Sequence, residues 1–136
     1  MSNMSDYLEG EIVKHIHRTG SFTKPTVLAV ALYTAAPGET GGGTEVTGGS
    51  YARVSINPLD ANWAAVVSGD GHTENVAAIQ YAAPTANWGT ITSFGILDAT
   101  TAGNLLLYGT LTTSKTVNNG DAAPSFAAGA LDVTYA

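Results

Sequence analysis

From Pro25 to its end the chain is cut into short apolar segments, rich in β-branched and aromatic residues, that are separated by Gly, Pro, Asn and Asp. Such punctuation admits strands and little else, because a helix needs a longer unbroken run with apolar residues three and four apart. Seven segments have strand length: Thr26–Thr34, Tyr51–Ile56, Trp63–Val67, Asn75–Tyr81, Thr90–Asp98, Leu105–Thr113 and Phe126–Tyr135. Repeated turn signals without further helix-period segments favour antiparallel pairing over βαβ units. The expected fold class is therefore mostly β, an antiparallel β-sandwich of about seven strands, with a small barrel as the alternative closure. A length of 136 residues suits a single domain, 1–136.

The one helical signal precedes Pro25. Ser5 is placed to cap a helix whose first turn carries Asp6 and Glu9, and Leu8, Ile12 and Ile16 recur every four residues with Val13 beside them. Lys14, His15, His17 and Arg18 gather near its end and Gly20 follows as a stop, so a helix is expected from Ser5 to about Arg18. Gly10 inside it costs about 1 kcal/mol relative to Ala. Such a helix needs packing from elsewhere and reads as a docking arm.

Two loops carry further information. Ala35–Ser50 holds six glycines, at 38, 41, 42, 43, 48 and 49, and is expected to be a mobile tip or to order on a partner. Asn118-Asn119-Gly120-Asp121 has the Asn-Gly signal of a tight turn, which predicts that Leu105–Val117 and Ser125–Tyr135 pair as a hairpin.

Charge narrows the function. Five Lys and Arg against eleven Asp and Glu give a net charge of −6, which disfavours nucleic acid as a partner because phosphate binding relies on basic side chains. Only 12% of residues are charged, against about 25% usually. Ala, Gly, Ser and Thr take their place, a composition that suits close contact between subunits. The chain has no cysteine, so disulfides, thiolate metal sites and a Cys nucleophile are excluded and assembly in a reducing cytoplasm is compatible. No apolar run approaches the roughly 18 residues of a membrane span, so no membrane partner is expected.

Chemistry-bearing patterns are sparse. His15 and His17 stand two apart, which on a helix points them to different sides. His72 lies in the turn Ser68–His72 with Asp70 and Glu74 near it, but the ligand spacing of a calcium loop is missing. The glycine-rich loop lacks the Gly-Lys-Ser/Thr ending of a phosphate loop and leads into a strand. No nucleophile elbow is present. No enzyme, metal or cofactor is expected. Trp63 and Trp88, each preceded by Asn, are expected in the core, the alternative being exposed platforms that stack on a glycan.

The segments DYLEGEIVKHI, PTVLAVALYTAAP, GGSYARV, ANWGTITSFGILDATTAGNLLLYGTL and FAAGALDVTY together resemble a family of small tailed-bacteriophage structural proteins commonly labelled tail-fibre-like. The resemblance runs from about Asp6 to Tyr135 and implies a virion component made in the host cytoplasm. It carries over no catalytic or ligand residue. A fibre needs length, whereas this chain shows no coiled-coil or β-helical shaft, so the leading expectation is a capsid decoration (cement) protein on the outer surface of the virion. Its expected partners are the major capsid protein or other virion proteins and further copies of itself, for example in a trimer. The candidate assembly contacts are Leu8, Ile12 and Ile16 on the helix and Gly41, Gly42, Gly43 and Thr44 in the loop. The alternative is a tail-fibre or tail-tip component that recognises the host surface, with Trp63 and Trp88 as the glycan-stacking candidates.

Overall fold

A computed structural model describes residues 2–67 and 69–135; of the expected turn at 68–72, Ser68 lies outside the described residues. The elements are β1 (Ser2–Met4), α1 (Asp6–His17), β2 (Ala29–Ala35), β3 (Thr44–Glu45), β4 (Val54–Ser55), β5 (His72–Glu74), β6 (Ile79–Gln80), β7 (Gly89–Leu97), β8 (Leu105–Val117), β9 (Ser125–Phe126) and β10 (Asp132–Thr134). The main sheet runs β1-β8-β7-β2-β3, with β4 also on β2, and two ribbons, β5–β10 and β6–β9, stand apart from it. Every pairing is antiparallel. The expected class holds: the protein is mostly β, antiparallel, with one helix.

The centre of the sheet explains why β2 reads as an unbroken apolar run. Its residues Ala29 to Tyr33 are all buried, because both sheet faces are covered there. On one face the register sets Val30 opposite Ile96 and Leu32 opposite Phe94, with Ile96 opposite Leu107. Ile79, Tyr81, Phe126, Leu131 and Val133 from the ribbon region pack on that same face and complete the main core. On the other face Ala31, Tyr33, Leu97 and Leu105 form a smaller cluster. Gly95 is required there, since a Cβ would lie 2.9 Å from both the Leu105 and Tyr33 side chains.

Buried polar groups fix the second layer. Asn75 is 1% exposed, and its amide nitrogen donates to Ala77 O and Ala127 O, each at 2.8 Å, while its side-chain oxygen accepts from Leu131 N at 2.8 Å. The Tyr81 hydroxyl donates to Val30 O at 2.9 Å, which ties β2 to the connection after β6. Arg53 grips Glu45 through two bonds of 2.7 Å and also donates to Ala99 O and Ala102 O.

Several expectations need correction. Among the described residues there are ten strands rather than about seven. Trp63–Val67 is not a strand: Trp63 makes a single bridge to Asn75, and Val66 and Val67 are exposed. Asn75–Tyr81 shrinks to β6 because the Asn75 side chain satisfies backbone groups that a ladder would otherwise pair. His72–Glu74, expected in and after a turn, is strand β5. Phe126–Tyr135 divides at Gly129, whose φ is +72°, into β9 and β10.

The expected hairpin between Leu105–Val117 and Ser125–Tyr135 does not form. Asp121 N does donate to Asn118 O at 3.1 Å, but only Gly120, at φ +85°, takes the left-handed conformation while Asn119 does not. That is the type II pattern, whose twist splays strands apart instead of pairing them. The turn instead docks on the 84–87 segment through Gly120 N to Pro84 O and Asn119 N to Asn87 Oδ1. β8 pairs with β7 and β1, and β9 and β10 with β6 and β5.

The N-terminal segment packs on the body of the fold. Ser5 caps α1 as expected, accepting from Leu8 N at 3.2 Å, while its own hydroxyl donates to Leu105 O. β1 is an edge strand of the main sheet, and Ser2 exchanges hydrogen bonds with Thr134. Ala35–Ser50 is tied to the body as well. Glu39 O accepts from Asp6 N, Gly49 O accepts from Thr85 N and the Trp88 indole, and β3 pairs with β2. At Gly43, φ is +82° and a Cβ would stand 2.4 Å from Ala36 O, so only glycine permits the fold-back.

Candidate functional site

The residues that precede β2, those around Trp63, and the β5–β10 ribbon enclose a cleft of about 510 Å³. Leu28 and Ile96 come from the main sheet region, Val133 from β10, and Leu59, Trp63 and Val66 from the connection between β4 and β5. That connection is folded by short-range bonds: Asn62 N and Trp63 N both donate to Leu59 O, and the Asn62 side chain donates to Asn57 O. The turn holds the Trp63 ring against the core with its indole nitrogen donating to Ile56 O at 3.2 Å. Thr73 in β5 also lines the cleft, and its hydroxyl donates to Ala64 O at 2.8 Å.

Those two bonds decide what the cleft can do. The Trp63 N–H and the Thr73 hydroxyl are already satisfied internally, so the surface offered to a visitor is chiefly apolar, with the Asp60 carboxylate and the Tyr135 phenol as its remaining polar side-chain groups. The lining of the cleft includes Leu59, Val66 and Tyr135, exposed by 58, 66 and 46%, and Val67, 69% exposed, follows Val66 in the chain. Single exposed apolar residues are ordinary, but a cluster beside an apolar recess marks a docking surface.

A second cleft, of about 490 Å³, lies where β8 bulges away from β7. Phe126, Leu111, Thr110, Thr113, Lys115 and Asp132 line it. Its mixture of aromatic, hydroxyl and charged groups differs from the first cleft. His72 Nε2 lies 2.7 Å from Asp132 Oδ1. His15 and His17 do not converge on a common ligand: His15 Nδ1 accepts from Phe22 N at 3.2 Å, an interaction that follows the end of the helix.

The candidates from sequence separate. Leu8 is 5% exposed and belongs to the main core, Ile12 is half-buried against it, and Ile16 is 65% exposed beside Val13 at 52%. Gly41 packs near Leu105, Gly42 sits in the turn, Gly43 is fixed by the Ala35 and Ala36 carbonyls, and Thr44 pairs with Ala35. Trp88 is 5% exposed, its indole donates to Gly49 O at 2.9 Å, and its ring meets Tyr51 edge-on at 5.4 Å. It is unavailable as a sugar platform. Trp63 keeps one partly exposed edge in the first cleft. Leu59, Val66, Val67 and Tyr135 were missed; the signal for Val66 and Val67 is Ala64-Ala65-Val66-Val67, which has no polar alternation and so no reason to sit on one face of a strand.

No curated protein matches the chain significantly. Residues 3–134 match the family described as Podophage GP4 fiber I protein gp80. The fibre in that description agrees with the tail-fibre-like resemblance of the sequence and backs the fibre alternative better than the capsid coat. Because the match spans nearly the whole chain, the protein belongs to this podophage fibre family and is a bacteriophage virion structural protein.

Proposed function

We propose that this chain is a non-enzymatic component of the podophage fibre that joins virion proteins through the Trp63 cleft. The observation that carries the reading is the apolar recess lined by exposed Leu59, Val66 and Tyr135. Burying such a cluster is the ordinary driving force of stable subunit contacts, which cover on the order of 1,600 Å² in total. The protein on this reading sits on the outer surface of the virion and is incorporated in the host cytoplasm. Its neighbours are other fibre proteins and further copies of itself, with neither a membrane nor nucleic acid involved. The major capsid protein is the corresponding neighbour in a capsid coat, which requires about one copy per capsid subunit.

The test is a phage carrying Val66→Asp. The side chain is exposed, so the substitution should leave folding within about 0.5 kcal/mol of wild type. It places a charge at the rim of the contact, and the chain is expected to accumulate in the lysate while its content in purified particles falls several-fold. Normal incorporation would overturn the reading.

A second reading is host-surface recognition, and the cleft under the β8 bulge favours it. Phe126, half-buried against the core, gives the cleft an aromatic wall, and Thr110, Thr113, Lys115 and Asp132 offer hydrogen bonds, which is the group set that a saccharide needs. Binding of purified protein to host cells that Lys115→Ala, at an exposed residue of this cleft, abolishes while melting as wild type does would support it; equal binding by that variant would remove it.

A further inference from the structure

We propose that the occupant of the Trp63 cleft is the C-terminal half of α1 from a second copy of this chain. The inference rests on the cleft being a docking site and names its partner. The second half of α1 is amphipathic and uncovered. Val13 and Ile16 are three residues apart, hence on one face, and are 52 and 65% exposed. Basic residues frame them: Lys14, His15 and His17 occupy the last turn and Arg18 is the C-cap. Lys14, which is paired with Glu11 at 2.7 Å, Arg18 and Lys24 are three of the five Lys and Arg in the chain. The uncovered apolar pair therefore sits in the one basic stretch of an acidic protein.

The cleft has the opposite character. Asp60 is in its lining and, among the described residues, no Lys, Arg or His is. Asp70 stands just before the β5–β10 ribbon, next to Gly71, whose carbonyl accepts from the N–H of the cleft residue Tyr135, whereas Glu74 and Asp132 alternate with Thr73 and Val133 and face away from the cleft. The basic group of that ribbon, His72, is already paired with Asp132. Two copies with a net charge of −6 each repel at long range, and bringing the basic helix end to the acidic rim makes the local contact attractive. A short helix that lays apolar residues at i and i+3 into a groove is a recurring mode of recognition. A cleft of about 510 Å³ falls in the range of roughly 300–1,000 Å³ typical of binding pockets and has room for both side chains. A patch that meets a different patch makes a heterologous contact, which propagates into a ring or a filament unless two copies close on each other. That is an appropriate device for a fibre component.

Sedimentation velocity of the full chain, at concentrations up to on the order of 100 µM, tests the pairing. Wild type is expected to self-associate, less so as salt is raised. Ile16→Asp and Val66→Asp should each weaken association at least tenfold while melting as wild type does, because both side chains are exposed. A mixture of the two variants should recover a complex, since one retains an intact cleft and the other an intact helix end. A monomeric wild type, undiminished association of Ile16→Asp, or a mixture that stays monomeric would overturn the proposal. In phage, exclusion of Val66→Asp with normal incorporation of Ile16→Asp would refute the second copy as occupant and leave the cleft as a docking site. Normal incorporation of Val66→Asp would refute both.

Discussion

Asn75 is the side chain on which the second layer depends most, and its replacement gives a calculable result. Asn75→Ala removes three hydrogen bonds of 2.8 Å and leaves Ala77 O, Ala127 O and Leu131 N without that partner in a site that is 1% exposed. A buried polar group left unpaired costs about 1–3 kcal/mol. The two carbonyls retain their other lone pair, so the low end of that range applies to them, and the total is about 3–4 kcal/mol. Against a stability of about 5–15 kcal/mol, that lowers the melting temperature by about 10–15 °C for a domain of this size. Asn75→Asp separates hydrogen bonding from packing. The introduced carboxyl keeps the acceptor for Leu131 N but, once ionised, faces two carbonyl oxygens. Burial and that repulsion raise its folded pKa above the ordinary value of about 3.9. With the folded pKa raised, the folded state holds its proton longer than the unfolded one, so stability relative to wild type falls as pH rises above about 4. Paired thermal melts from pH 4 to 7 are the assay. A loss under about 1 kcal/mol for Asn75→Ala, or an Asn75→Asp deficit that shrinks toward pH 7, would refute the assignment of Asn75 as the staple of this layer.

Three further outcomes follow from the same structure. Gly43→Ala should destabilise by well over the roughly 1 kcal/mol expected for Gly38→Ala, because a Cβ at 43 meets Ala35 O and Ala36 O whereas at Gly38 it meets open space; denaturant midpoints compare the two. Burial raises the phenol pKa values of Tyr51 and Tyr81 above 10.0, so folding is favoured below the unfolded value and stability falls as pH rises above about 10; absorbance titration should show these phenols ionising only together with unfolding, and ionisation in the still-folded protein would contradict their burial. Deletion of residues 2–20 should abolish cooperative melting, since it removes the edge strand β1, the Ser5 cap bonds to β8 and the core residue Leu8; a body that still melts cooperatively would show that the N-terminal segment is dispensable.

What could be read from sequence follows the range of the interactions. The helix was legible to within a residue or two because its signals are local: the Ser5 cap, the acidic first turn and the four-residue apolar spacing lie within one short segment. β2, β7 and β8 were legible because the sheet centre requires long apolar runs. The ribbons were not, since β5, β6, β9 and β10 are two or three residues long and owe their place to Asn75, Gly129 and pairings across more than forty residues. The Asn-Gly turn misled because the dipeptide fits two turn types, and contacts with Pro84 and Asn87 select the one that opens. The proposed docking cleft was illegible for the same reason: Leu59, Val66 and Tyr135 come together only through the fold. Ile16, by contrast, was visible as an apolar residue on a helix, and its exposure is what the structure adds.

On the proposed reading this protein is built into the fibre rather than the shell. The direct measurement is immunogold electron microscopy of purified particles with an antibody against the chain. Gold confined to the tail fibres is the expected result. Gold distributed over the capsid surface would contradict it and restore a coat of the shell as the protein's role.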